Sequence, residues 1–193
     1  MNKMQQNNNH KSNLAMQEQT LLEQAIEFAT KKHENQKYGD VPYKDHLSHV
    51  QQVAKRHELG EFLEAAAWLH DCIEDCEVTY EDIEDLFGYT MAEVVWSVTV
   101  ENPAEPRNKR VQETCRKTRL SLQGVLLKLC DRIANVEFAV ATGRKSIFKM
   151  YLKENELFLT SLGLRREVIS TSARYLLNDL DNALNNGKIA FKL

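Results

Sequence analysis

Residues 61–75 read Glu61-Phe62-Leu63-Glu64-Ala65-Ala66-Ala67-Trp68-Leu69-His70-Asp71-Cys72-Ile73-Glu74-Asp75. Phe62, Leu63, Ala66, Ala67, Leu69 and Ile73 recur at helical spacing, which predicts a helix over about residues 61–74. On such a helix His70 and Glu74 are four residues apart, as are Asp71 and Asp75. Two pairs of polar groups therefore lie on neighbouring strips of one face. A charged cluster at the end of an apolar helix needs partners or solvent. An adjacent His and Asp can both reach one cation, the imidazole through nitrogen and the carboxylate through oxygen. A solvated helix end would show the same residues, so the rest of the chain has to decide.

The helical period continues on both sides. Leu21, Leu22, Ala25, Ile26, Phe28 and Ala29 predict a helix over about 17–33, and a second is expected over about 45–58, ending near Gly60. Thr79 opens TYEDIEDLFG as an N-cap, with Asp82 at the third following position and Gly88 as the stop. Further helices are expected over about 92–99, 111–120, 122–142, 146–162 and 167–187. The segments 37–42 and 101–110 read as loops, marked by Gly39 and Pro42 in the first and by two prolines in the second. Val94-Val95 and Val98 to Val100 have strand composition, but nothing nearby offers a partner. Seven glycines and three prolines leave little turn chemistry for a many-stranded sheet. The predicted fold class is all-α, a helical bundle.

Composition agrees with a soluble globular chain: 193 residues, 42% hydrophobic and 27% charged. That length suits one core, here expected over 17–193 behind a disordered Asn/Gln-rich tail at 1–16. A net charge of -3 argues against a dedicated nucleic-acid binder and leaves room for a local basic pocket. The longest apolar runs, such as Ala65 to Leu69, fall far short of the ~20 residues that span a bilayer, so no membrane partner is expected. The first residues, MNKMQQNNNHKSN, lack the apolar stretch of a signal peptide. Cys72, Cys76, Cys115 and Cys130 lie in helical patterns without CxxC spacing and read as reduced thiols, consistent with a cytoplasmic protein. The basic run Arg107, Lys109, Arg110, Arg116, Lys117 and Arg119 reads either as a phosphate-facing strip or, as the commoner case, as a solvated helix flank.

Two more segments carry candidate chemistry. His33 ends the first predicted helix within KKHENQ. Asp131 lies in VLLKLCDRIANVEF, an otherwise apolar helix that also holds Lys128, Arg132 and Asn135. Asp131 and Asn135 share a face, four residues apart. A carboxylate buried there is expensive unless a cation or hydrogen bonds satisfy it.

Taken in chain order, His33-Glu34-Asn35-Gln36, Pro42-Tyr43 with His46, LHDCIEDCEVTYEDIEDLFG and KLCDRIANVE resemble the HD-domain metal-dependent phosphohydrolases. Within them the chain resembles the RelA/SpoT-type hydrolase domains and their small stand-alone relatives, over about residues 20–162. The resemblance implies an HD-domain helical bundle with His33, His70, Asp71 and Asp131 as metal ligands. It implies Glu74 and Asp75 as catalytic carboxylates and Asn135 as a substrate contact, with His46 as structural support. A mixed nitrogen/oxygen donor set suits manganese or another divalent ion. Lys128 and Arg132 are expected either to support the phosphates or to brace Asp131. Lys149, Tyr151 and Lys153 fall where the family presents basic and tyrosine side chains to the substrate's 5′-phosphates.

The chain also departs from that family. RelA/SpoT-type hydrolases carry an Arg-Lys pair that packs on guanine; here the loop is KYGDVPY, one residue shorter, with Lys37 and Tyr38 in its place. Lys37 is expected to supply cation stacking and Tyr38 a ring face for the base. A family Thr is replaced by Phe138. The implied partner is a small-molecule nucleotide, and a homo-oligomer is left open. The implied activity is hydrolysis of the 3′-pyrophosphate of guanosine 3′,5′-bis(diphosphate), or of a close relative. Two other readings stay open: an HD-type 5′-nucleotidase, and a nucleotide-binding HD module without catalysis. The Glu74-Asp75 pair favours an enzyme over the binding module.

Overall fold

Thr20 opens the first helix by a reciprocal cap: its hydroxyl accepts the Glu23 amide at 3.2 Å, and the Glu23 carboxylate accepts the Thr20 amide at 2.9 Å. The computed structural model describes residues 19–164 and 170–193, so the expected tail at 1–16 lies outside the described residues. Helix α1 (Leu21–Lys32) leads into a small antiparallel hairpin, β1 (Lys37–Tyr38) with β2 (Val41–Pro42), in which Tyr38 faces Val41. This hairpin occupies the segment expected to be loop. Gly39 makes its turn at φ +66°, a conformation open to glycine.

Helix α2 (Tyr43–Arg56) starts directly after Pro42 and buries His46, Leu47, Val50, Val53 and Ala54. Helix α3 (Glu61–Leu69) buries nearly its whole circumference, from Leu63 through Ala65, Ala66, Ala67, Trp68 and Leu69. A helix apolar all round belongs in the middle of a bundle, and α1 and α2 pack on this one. The expected helix to residue 74 does not run through. It stops after Leu69 and restarts as α4 (Cys72–Asp75), with Asp71 between them at φ -102°, ψ 0°. That is the sparsely populated bridge region of backbone space, where many active-site residues sit.

Helix α5 (Tyr80–Phe87) has the expected Thr79 cap, reciprocated by Asp82. Helix α6 (Tyr89–Val98) covers the valine run with strand composition, and its buried Val94, Val95 and Val98 serve the core as helix. Helix α7 (Arg107–Thr118) begins inside the segment read as loop, because Pro106 supplies the N-cap backbone conformation rather than a break. Helices α8 (Leu122–Ala141), α9 (Lys145–Ser161) and α10 (Thr171–Phe191) complete the chain. Residues 165–169, where the last helix was expected to begin, lie outside the described residues.

Helix α8 is the axis, with α2, α3, α6, α9 and α10 packed along it. Leu69, Leu127, Leu129 and Ile133 are almost fully buried where α3 and α8 meet the rest of the core. Each such side chain contributes about 1.5–3 kcal/mol relative to exposure. Their convergence, expected from the two apolar patterns, brings His70, Asp71 and Asp131 together. Near the chain's end Gly187 lies against the Phe148 ring, which occupies the space a Cβ would take. The four cysteines are free thiols. Among the described residues no helix is long and apolar enough to cross a membrane.

Candidate metal centre and substrate cavity

His70 is the most constrained group of the site. Its Nδ1 donates to the Ala67 carbonyl at 2.8 Å, one turn back on α3. A carbonyl only accepts, so that nitrogen carries a proton, which leaves Nε2 as the nitrogen able to offer a lone pair to a cation when the ring is neutral. Nε2 points into the cluster, 2.9 Å from Asp71 Oδ2 and 3.8 Å from Asp131 Oδ1. It is buried and makes no hydrogen bond of regular geometry. The second imidazole comes from the first turn of α2: His46 Nε2 lies 3.5 Å from Asp131 Oδ1 and 3.7 Å from Asp71 Oδ2.

Ligand atoms of His46, His70 and Asp131 all fall within 4.8 Å of one another, and among the described residues this is the one such group. Asp71 completes its rim. The charges support each other. Burial alone would raise Asp71 and Asp131, but both carboxyls are held below the usual range, Asp71 by His70 and His46, Asp131 by His46, Lys128 and His70. Burial would lower His70, yet the two carboxylates push it up to about 9. An orphaned buried imidazole nitrogen, a second imidazole and two carboxylates facing one point fit a divalent cation, which takes neutral His and ionised Asp as ligands.

The structure separates His33 from this group. Its Nδ1 lies 2.7 Å from Gln36 Oε1, and the Cys76 sulfur is 3.5 Å from both ring nitrogens. The ring stacks on Tyr43 at 4.5 Å and 5°. Gln36 in turn donates to the Asp75 carbonyl at 2.6 Å. His33 thus braces Tyr43 and α4, while His46, expected as support, stands in the group that could hold a metal ion. Spacing within one helix cannot tell which of two helices approaches the HD pair. One signal was available: His46, Val50 and Val53 share a helical face, so His46 sits on the apolar stripe of α2.

Helix α4 aims the other two carboxylates. Glu74 accepts the Val100 amide at 2.9 Å; burial, opposed by that amide and reinforced by Asp71, pushes its carboxyl up. Asp75 and Asp71 are joined by the Tyr43 hydroxyl, 2.6 Å and 2.7 Å from their Oδ2 atoms. Burial and those two carboxylates raise the phenol far above its ordinary value, so Tyr43 stays a donor. Asn135 donates to Asp131 through its amide and accepts the Tyr38 hydroxyl.

These groups form one end of a cavity of about 290 Å³. Lys128, Arg132, Arg107 and Arg110 line it as well, with Tyr38, Asn135 and Tyr151 at the side. Tyr38 stacks on His46 at 4.3 Å and rests against Phe138 at 4.7 Å, so the Phe in place of the family Thr backs the Tyr in place of the Arg-Lys pair. Lys37 is exposed on β1 and does not line the cavity. Lys149 and Lys153 line a different surface groove, while Tyr151 between them faces the cavity. The sequence reading assigned Tyr43 no role and favoured a solvated flank for α7, whose Arg107, Arg110 and Thr114 recur at helical spacing and line the cavity.

The HD-domain family pattern matches residues 25–155. The chain belongs to the HD-domain family. This HD domain is 33% identical over 122 residues to the guanosine-3′,5′-bis(diphosphate) 3′-pyrophosphohydrolase MESH1 of Danio rerio, a match covering 60% of this chain and 67% of that protein. It is 38% identical over 127 residues to the guanosine-3′,5′-bis(diphosphate) 3′-pyrophosphohydrolase of Aquifex aeolicus, where the match covers 60% of this chain but 17% of the relative. In structure the HD domain resembles a metazoan SpoT ortholog described as hydrolysing ppGpp, with a TM-score of 0.71, 21% identity, and 89% and 97% of the two chains covered. A Listeria monocytogenes protein follows at a TM-score of 0.53 and 23% identity, covering 75% and 96%. At those identities the structural matches show the fold alone, the all-α HD bundle.

Proposed function

We propose that this HD domain hydrolyses the 3′-pyrophosphate of guanosine 3′,5′-bis(diphosphate), or of a close nucleotide relative, with a divalent metal held by His46, His70, Asp71 and Asp131. The observation that carries the reading is the convergence of the buried His70 Nε2, the His46 imidazole and the Asp71 and Asp131 carboxylates on one point, at the end of a cavity lined by four cationic side chains. The curated relatives named as 3′-pyrophosphohydrolases support the substrate class. Manganese suits the mixed nitrogen/oxygen donors, as do other divalent ions. When bound, the ion lowers the pKa of a water and polarises a phosphoryl oxygen.

The chain's own residues do the rest. Water adds to the phosphorus on the ribose 3′-oxygen, the O3′–P bond breaks, and pyrophosphate leaves a nucleoside 5′-diphosphate. Glu74, whose carboxyl burial pushes above the usual carboxylate range, exchanges the proton of that water. Tyr43 fixes the orientation of Asp71 and Asp75. Lys128 and Arg132 offset charge growing on the phosphoryl oxygens. Asn135 holds ribose or phosphate once Tyr38 shares it, and Tyr38 offers its ring to the base.

The test is a nucleotide panel read by phosphate and pyrophosphate release, with metal content measured on the same samples. Pyrophosphate from a 3′-diphosphate nucleotide, lost in chelator and in Asp71→Ala or Asp131→Ala, is the expected result. Inorganic phosphate from a nucleoside 5′-monophosphate, with 3′-diphosphates untouched, would make this a nucleotidase. Nucleotide binding without any turnover would make it a binding module.

A further inference from the structure

Four cationic side chains line the cavity, and three are answered by the protein itself. Glu154 holds Arg107 in a two-pronged contact, Nε to Oε2 at 2.9 Å and NH2 to Oε1 at 3.0 Å. The same carboxylate lies 2.6 Å from Arg132 NH1, whose guanidinium also lies over the Phe158 and Tyr151 rings. Lys128 donates to the Val98 carbonyl at 3.3 Å and stands 3.6 Å from Asp131. Arg110 is different. Its guanidinium makes no hydrogen bond or ion pair among the described residues, and its Nε is buried without a partner.

The place of Arg110 is as telling as its lack of partners. It lines the substrate cavity and also a second cavity of about 180 Å³ beyond it, bounded by Thr99, Asn102, Thr114 and Lys117. The acids of that second cavity are already engaged, Glu101 with Lys117 at 2.8 Å and Glu113 with Lys109 at 3.9 Å. A guanidinium offers a rigid fork of donors matched to phosphate oxygens. A buried N–H left unanswered by the protein is costly and calls for an explanation. The basic run containing Arg110 is therefore not wholly a solvated flank.

We infer that Arg110 is a specificity residue that binds a second phosphoryl group of the substrate, other than the one attacked at the metal centre. This rests on the phosphohydrolase reading above. It makes the site select nucleotides with more than one phosphate and discriminate against nucleoside monophosphates. Two phosphoryl groups have the required chemistry: the terminal phosphate of the 3′-diphosphate, and the 5′-phosphates.

The experiment compares wild type, Arg110→Gln and Arg110→Lys on three substrates: guanosine 3′,5′-bis(diphosphate), guanosine 3′-diphosphate without 5′-phosphates, and guanosine 5′-diphosphate 3′-monophosphate. Arg110→Gln is expected to raise KM for the full substrate roughly 10- to 100-fold, the worth of a charged hydrogen bond, with kcat changed far less. Arg110→Lys recovers part of the loss, keeping the charge without the fork. The penalty in kcat/KM shrinks toward unity on the substrate that lacks the phosphoryl group Arg110 holds, which also says which one it is. An equal penalty on all three substrates overturns the inference, as does a fall in melting temperature together with lost metal. If wild type cleaves none of the three, the proposed function fails and calorimetry with inorganic pyrophosphate reads Arg110 separately. Binding by wild type that Arg110→Gln abolishes keeps the anion site; equal binding, or none by wild type, removes it.

Discussion

Glu154→Gln tests how the cationic wall is held. Glu154 and Arg132 have 11% and 7% of their side chains exposed, so their 2.6 Å contact is a buried ion pair, and breaking one costs about 3–5 kcal/mol. The lower end applies, because Gln keeps one acceptor oxygen and Arg132 keeps its ring faces. Arg107 is 42% exposed, so its share of the loss stays within about 1 kcal/mol. The sum, about 3–4 kcal/mol, corresponds to a melting temperature lower by roughly 6–16 °C for a domain of this size. Burial alone would raise the Glu154 carboxyl, but Arg107 and Arg132 hold it below the usual range. A carboxyl depressed in the folded state stabilises fully above its unfolded pKa of about 4.3 and loses that contribution as pH falls through the folded value. Urea unfolding followed by helix circular dichroism should therefore show the full gap between the two proteins at pH 7. The gap should shrink below about pH 4.3. A loss under about 1 kcal/mol at pH 7, the range of an exposed pair, or a gap that widens in acid, would refute the reasoning.

Four other substitutions probe the site and its frame. His46→Ala should lower metal retention at least ~10-fold by elemental analysis, while His33→Ala keeps the metal and costs stability through Tyr43 and α4; the reverse pattern would return the ligand role to His33. Tyr38→Ala should leave metal content unchanged and reduce kcat/KM roughly 10-fold through loss of a stacking face, so unchanged kinetics would remove Tyr38 from base recognition. Gly187→Ala would gain about 1 kcal/mol of helix propensity in isolation. Here its Cβ overlaps the buried Phe148 ring, so a net loss of about 1–3 kcal/mol is expected, and a raised melting temperature would contradict that packing.

Much of the fold was legible because its helices carry a regular apolar period and four of them open on a side-chain cap, at Thr20, Thr79, Ser121 and Ser170. The Thr79 cap, the apolar length of α8 and the convergence of α3 with α8 all follow from local patterns. What was not legible depends on contacts between elements. The α2 and α1 histidines lie 13 positions apart in sequence, and only the packed structure shows that His33 faces Gln36 and a thiol while His46 faces two carboxylates. Lys149 and Lys153 flank Tyr151, but a helix turns about 100° per residue, so neighbours two apart cannot all share its inward face. Arg110 was hidden inside a run of like residues, and its lack of an acid is visible only once its neighbours' partners are known.

The interruption between α3 and α4 bears on how the HD pair works at all. In an unbroken helix two consecutive side chains diverge by about 100°, so His70 and Asp71 would address different neighbours. With Asp71 at φ -102°, ψ 0°, the chain changes heading between them, and the His70 Nε2 and Asp71 Oδ2 atoms come within 2.9 Å. The Asp75 amide bonds back to the Asp71 carbonyl at 2.8 Å, so the short second helix latches the turn from its far side. One residue's backbone angles thereby bring a sequence neighbour to the point the two imidazoles face. Substitution at that joint, as well as of the two side chains themselves, is expected to weaken metal retention.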